Sequence, residues 1–184
     1  MDNMLRMQPH PDNTGHGIEG FNVGFILDHK GKLWLRYHVD CDPGLLVLPD
    51  THGLKDRADN LWKSTCFEAF MRVAGSEAYV EFNFAPSGQW AAYAFRSYRD
   101  GITDQPLSVP PDIGVDASDN HIAVEVVVQL PHHFIGSATD MALTAILHEQ
   151  RGEKSFWSLV HPQGKPDFHH QACFALKLAP PITS

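Results

Sequence analysis

Cysteine, basic charge and long apolar runs are all scarce in this chain, and each scarcity excludes something. There are only three cysteines in 184 residues, Cys41, Cys66 and Cys173. Their number is odd and no two form a CxxC pair, so no disulfide framework is expected. Cys66 stands beside Phe67 and Cys173 beside Phe174, contexts that suit small buried hydrophobes rather than reactive thiols. Lysine and arginine total 14 against 22 aspartates and glutamates, for a formal net charge of −8. That balance argues against non-specific binding to nucleic acid or to anionic membranes, both of which need a basic surface. No apolar run approaches the ~18–20 residues of a membrane-spanning helix. The opening MDNMLRMQPHPDNTGHG lacks the apolar core of an export signal, so the expected location is the cytoplasm.

Catalytic and cofactor signatures are equally thin. No GxSxG is present, and Gly15-His16-Gly17 lacks the strand-then-helix setting of a phosphate loop. There is no CxxCH, which argues against covalently attached haem. No internal repeat of solenoid or propeller period and no low-complexity segment occurs.

What the chain does have is alternation. Its length suits one domain. A chain of this size hides roughly two-thirds of its unfolded surface, enough for a real core. Residues 1–16 are polar and read as a tail, leaving 17–184 as the domain. Phe21, Val23, Phe25 and Leu27 alternate along a first strand. Leu33, Leu35, Tyr37 and Val39 do so along a second, and Asp28-His29-Lys30-Gly31 turns between them. Further strands are predicted over Ser64–Val73, Tyr79–Phe84, Gln89–Arg99, His121–Gln129, Met141–His148, Lys154–Val160 and Cys173–Leu178. Residues 100–119 read as a loop, Leu130–Phe134 as a single helical turn, and 161–171 as a polar loop. Many short strands with turn signals between them and no long helix predict an all-β fold, an antiparallel β-sandwich of jelly-roll type.

The stretch Asp59–Arg99 gathers the most distinctive side chains. Side chains alternate faces along a strand, so one parity can be followed across a hairpin. Centring the first hairpin on Ala74–Glu77 sets Glu68 opposite Asn83 and Phe70 opposite Glu81. Turning the second at Pro86–Gly88 is expected to bring Trp90 or Ala92 beside Asn83 and Arg96 near Tyr79. The resulting face carries Glu68, Glu81, Asn83 and Arg96 among Phe70, Tyr79, Trp90 and Tyr98, with small Ala92 and Ala94 as a shallow floor. Acidic and amide groups hydrogen-bond hydroxyls, and aromatic faces stack on sugar C–H surfaces, so a saccharide or small polyol is the expected ligand, with a flat aromatic molecule the alternative that the same mixture suits.

Blander and rival readings compete with it. An antiparallel sheet commonly keeps one solvated face, and Glu81 and Arg96 could form a plain cross-strand ion pair. Glu68 and Glu81 could serve as the carboxylate pair of a glycoside-processing enzyme. His161, His169 and His170, or the pair His132-His133, invite comparison with a metal site. Adjacent histidines in a strand point to opposite faces, however, and a place for His169 or His170 at the mouth of the groove is the simpler expectation. Haem would need an axial ligand, for which Met71, His121 and His148 are the candidates. No cofactor is expected.

The segments LWKSTCFEAFM, YVEFNFAPSGQWAAYAF and SFWSLVHPQGKPDFHH resemble the DOMON-like proteins of bacteria, which are themselves similar to the family 9 carbohydrate-binding modules. The resemblance spans roughly Asp59 to Leu178. It implies a jelly-roll β-sandwich with a ligand site on one sheet, binding sugars or, in other DOMON branches, haem. It further implies that Trp62, just before the core strand, and Glu68, within it, contact the sugar. Arg96 stands on a neighbouring strand, and Trp157 is the candidate for a second, clamping aromatic. The expected ligand-binding set is therefore Trp62, Glu68, Asn83, Trp90, Arg96 and Trp157.

Overall fold

The computed structural model describes residues 4–49 and 55–180. Part of the polar connection 49–60, and the Pro181 expected to close the domain, lie outside them. In chain order the strands are β1 (Leu5–Arg6), β2 (Gln8–Pro9), β3 (Gly20–Leu27), β4 (Lys32–Asp40), β5 (Cys66–Val73), β6 (Tyr79–Phe84), β7 (Trp90–Phe95), β8 (Thr103–Asp104), β9 (Asp112–Ser118), β10 (His121–Gln129), β11 (Thr139–His148), β12 (Lys154–Ser158) and β13 (Leu176–Leu178). Four single 3₁₀ turns, Pro43–Leu45, Leu61–Lys63, His132–Phe134 and Gln171–Cys173, supply the only helical structure among the described residues.

The strands form two antiparallel sheets packed as a sandwich. The smaller runs β1-β3-β4-β10-β9; the larger runs β2-β12-β11-β5-β6-β7-β8, with β13 pairing along β11 beyond the end of β12. Alternation dictates the interior. Phe21, Leu35 and Tyr37 from one sheet meet Phe67, Phe82 and Trp157 from the other. The aromatic rings interlock, with Phe67 5.2 Å from Tyr37 and Trp157 5.4 Å from Phe21 between centroids. Tyr37 also ties the layers by donating its buried hydroxyl to the backbone carbonyl of Glu68 at 2.7 Å.

The larger sheet is covered on its outer face as well. The segment 159–175 folds back over it, and Phe168, Cys173 and Phe174 pack there against Phe70, Tyr79, Phe95 and Ile146. All six residues of β6 are buried in consequence. The outer face of this sheet is therefore not the solvated surface that alternation alone allows.

Three expectations are corrected. Residues 1–16, read as a tail, instead contribute β1 to the smaller sheet and β2 to the larger. Met7 between them is fully buried and donates its amide to the Phe21 carbonyl at 2.9 Å. Two-residue strands carry too little alternation to be seen. Residues 100–119 are not all loop: β8 closes the edge beside β7, and β9 pairs with β10. As an edge strand β9 needs few apolar residues, and among its side chains only Ile113 is buried. The expected strand at 173–178 shortens to β13, because Cys173 closes a 3₁₀ turn.

The buried Met7 makes a direct prediction. Met7→Ala should lower unfolding free energy by about 2–5 kcal/mol, the range for truncating a buried large apolar side chain. Urea titration measures it, and a change within ~0.5 kcal/mol would restore the tail reading.

Candidate functional site

The outer face of the larger sheet is incompletely covered, and what remains open is a cleft of about 660 Å³. Its floor is built by strand parity: Glu68 and Phe70 from β5, Glu81 from β6, Tyr93 and Phe95 from β7. Register places Glu68 opposite Asn83 and Phe70 opposite Glu81, as the first hairpin requires. The next hairpin pairs Asn83 with Ala91, Glu81 with Tyr93, and Tyr79 with Phe95.

Two loops raise the walls, and each is anchored by an arginine–carboxylate pair. On one side Arg57 pairs with Asp59 at 3.0 Å and with Asp104, and its guanidinium lies 5.3 Å from the Tyr93 ring centroid. Tyr93 donates its hydroxyl to Asp59 at 2.7 Å. Asn60 then takes a left-handed conformation, which asparagine tolerates better than most residues, and starts the turn that presents Trp62 at the rim. Trp62 lines the cleft yet stays 47% exposed. A large aromatic surface left half in water is where a ligand would gain most from burial.

On the other side Asp167 is the hub. It accepts from the Arg99 guanidinium at 2.7 Å, the Tyr98 hydroxyl at 2.6 Å and the His169 amide at 3.2 Å. Burial raises the Asp167 carboxyl, but the Tyr98 and Arg99 hydrogen bonds outweigh it and hold the group below the usual carboxylate range. Tyr79 accepts from the Arg99 amide at 3.2 Å, and its hydroxyl lies 2.7 Å from His169 Nδ1. Desolvation, helped by nearby Arg99, lowers His169 to about 4, so its imidazole is neutral near pH 7. With Tyr79 donating to Nδ1, the network assigns the ring proton to Nε2, which faces Glu81 Oε2 at 3.7 Å.

The floor carboxyls are unusual in their isolation. Glu68 is 2% exposed and Glu81 7%. Glu68 Oε2 accepts from the Thr144 hydroxyl at 3.1 Å, and Glu81 Oε1 accepts from the Asn83 amide at 2.7 Å. Burial pushes Glu68 well above the ordinary glutamate range, and the neighbouring Glu81 pushes it further against the Thr144 hydrogen bond. Burial raises Glu81 too, opposed by Asn83 and Arg99. Two acids side by side in a poorly solvated floor hold protons that free glutamates would release.

Of the expected site residues, the structure brings Trp62 and Glu68 into the cleft. Asn83 lies directly behind, orienting Glu81 and accepting from the Cys66 thiol at 3.6 Å. Three others are elsewhere. Trp90 and Ala92 point into the inter-sheet core. The connection Ala85–Gln89 joins the paired Phe84 and Trp90, closed by hydrogen bonds between Ala85 and Gln89 and from Gly88 to Ala85. This is one residue off the expected register, and one residue exchanges the faces of the whole strand. Tyr93 and Phe95 therefore occupy the cleft in place of Trp90 and Ala92. Arg96 is exposed and pairs with Asp100 at 2.6 Å rather than with Glu81. Trp157 is buried between the sheets and donates to Ser155 Oγ at 2.9 Å, while its neighbour Phe156 lines the cleft.

Sequence reasoning missed Arg99, Tyr93, Phe95 and Phe168. Arg99 sits in a tight Ser97–Asp100 turn with a positive φ, which strand extrapolation passes straight through. The expectation of a histidine at the groove mouth holds for His169; the His170 ring instead caps the following 3₁₀ turn. Among the described residues no cluster of three or more metal-ligating side chains converges. Of the haem candidates, Met71 lies in the inter-sheet core, His121 stacks on His38 on the far side of the other sheet, and His148 stands at the end of β11, outside the residues that line the cleft.

No family model matches the chain, and no curated protein matches it in sequence. Solved structures resemble it in fold. A candidate carbohydrate-binding protein from Bacteroides uniformis superposes with a TM-score of 0.59 at 15% identity, covering 92% of this chain and 84% of its own. A family 9 carbohydrate-binding module from Caldicellulosiruptor kristjanssonii, in complex with glucose, gives 0.56 at 10% identity over 88% of this chain and 76% of the module. A second structure of such a module from that organism, in complex with cellotriose, gives 0.51 at 11% identity over 88% and 74%.

The buried acids and the neutral histidine make opposite predictions for stability. Glu68 has a native pKa above its ordinary 4.5, so its contribution is full below about pH 4.5 and is lost as pH rises through the native value. His169 has a native pKa of about 4 against an ordinary 6.5, so its contribution is present above pH 6.5 and lost as pH falls toward 4. Glu68→Gln, which cannot ionise, should flatten the alkaline decline and gain on wild type as pH rises. Urea midpoints across a pH series read this out; parallel curves for the two proteins would refute the raised pKa.

Proposed function

We propose that this protein is a non-catalytic binding module for a saccharide or similar small polyol, held in the cleft on the outer face of the larger sheet. The observation that carries the reading is the composition of that cleft: half-exposed Trp62 at the rim above a floor that mixes aromatic rings with desolvated hydrogen-bonding acids. A sugar ring has apolar C–H faces and a polar hydroxyl edge, and the cleft offers a counterpart to each. Trp62 covers one face of the ring. The carboxyls of Glu68 and Glu81, both raised by burial, and the Arg99 guanidinium offer hydrogen-bonding partners to hydroxyls. The fold shared with structures of family 9 modules supports the reading. So does the sequence resemblance to DOMON-like proteins, which makes membership of that group part of the proposal.

Calorimetric titration with glucose and cellotriose tests the proposal. Trp62→Ala should weaken binding by about tenfold, or ~1.4 kcal/mol, with the protein still folding cooperatively in urea, because the ring stands half in water at the rim. Ile26→Ala, on the exposed face of the other sheet, should leave binding unaltered. Absence of binding across a broad glycan panel, or indifference to Trp62→Ala, would overturn the reading.

A further inference from the structure

We infer that the ligand this cleft selects carries a primary ammonium group, an amino-substituted saccharide or small amino-polyol whose nitrogen sits between Glu68 and Glu81. The inference rests on the saccharide reading above and narrows it. It starts from an imbalance of charge. Of the acids that line the cleft, Asp59 is neutralised by Arg57. Arg99 is the lining cation, and it is committed to Asp167. Among the described residues neither Glu68 nor Glu81 has a lysine or arginine as an ion-pair partner. The ring nearest to Glu81, His169, is neutral and held by Tyr79. Two buried carboxyls are thus left with one hydroxyl and one amide between them, and Glu68 Oε1 has no protein partner among the described residues.

A buried acid without an ion-pair partner is costly, and the cost shows as a raised proton affinity at both carboxyls, only partly offset at Glu81 by Asn83 and Arg99. A neutral sugar leaves that compromise in place. An ammonium relieves it: three N–H donors meet the oxygens of both glutamates, and the pair releases protons to become its counter-ion. The surrounding rings act in the same direction. Phe70, Tyr93, Phe95 and Trp62 line the same cleft, and the face of an aromatic ring attracts an organic cation. The other titratable groups that feel the pair are Cys66, Tyr37, Tyr79 and Tyr93; burial raises all four, so near neutral pH none competes as an anion.

Paired calorimetry of the intact protein with glucosamine and with glucose tests the inference, using N-acetylglucosamine as an uncharged analogue substituted at the same position. Near neutral pH glucosamine should bind at least ~tenfold tighter than either, the scale of one good charge-assisted hydrogen bond. Repeating the glucosamine titration in buffers of different ionisation enthalpy should reveal proton release to solvent, and glucose should show none. Glu81→Gln should reduce both the glucosamine preference and the proton release, and it is isosteric, so the floor is preserved. Glucose binding as tightly as glucosamine, without proton exchange, overturns the inference and leaves the saccharide reading standing. Binding of no saccharide, amino or neutral, overturns both.

Discussion

The architecture depends on a constraint met by the larger sheet alone: it is covered on both faces. One face packs against the smaller sheet through Phe67, Phe82 and Trp157, the other beneath the 159–175 segment through Phe168, Cys173 and Phe174. Desolvation follows from that double cover. Residues that would be ordinary surface acids on a one-sided sheet become buried carboxyls with raised proton affinity. The cleft exists because the cover stops short of Glu68 and Glu81.

Floor and walls are held by different physics. The floor is set by backbone register between β5, β6 and β7, and each of its side chains is fixed by strand parity. The walls are set by point contacts, Arg57 to Asp59 and Asp104 on one side, Asp167 to Arg99 and Tyr98 on the other. These are charge-assisted and directional, suited to holding irregular backbone that has no ladder of its own. Exposed pairs of this kind add little to global stability, so their role is local.

Much of the fold was legible because alternation and turn residues are local signals. The β3–β4 hairpin and the β5–β6 pairing, including Glu68 opposite Asn83, follow directly from them. What was not legible depended on counts or contacts that alternation does not carry. The length of the Ala85–Gln89 connection decides whether Trp90 or Tyr93 faces the acids. The two-residue strands around Met7 owe their existence to sheet edges supplied by β3 and β12, far away in sequence. Arg99 and Phe168 reach the cleft on loops, whose paths are fixed by Asp167. Arg96 was a reasonable expectation because strand parity extends to it on paper, yet the Ser97–Asp100 turn ends the strand first.

The division between floor and walls bears on how such a site diversifies. Arg57–Asp59 and Arg99–Asp167 are modular fasteners between a loop and a rigid base, and none belongs to the hydrophobic interior. Sequence drift in residues 59–62, 97–102 or 166–169 can therefore reshape the opening while the acid-bearing strands stay in place. A substitution in the rim loops and one in the acid-bearing strands therefore disturb different things, the outline of the opening in the first case and the polarity of its floor in the second.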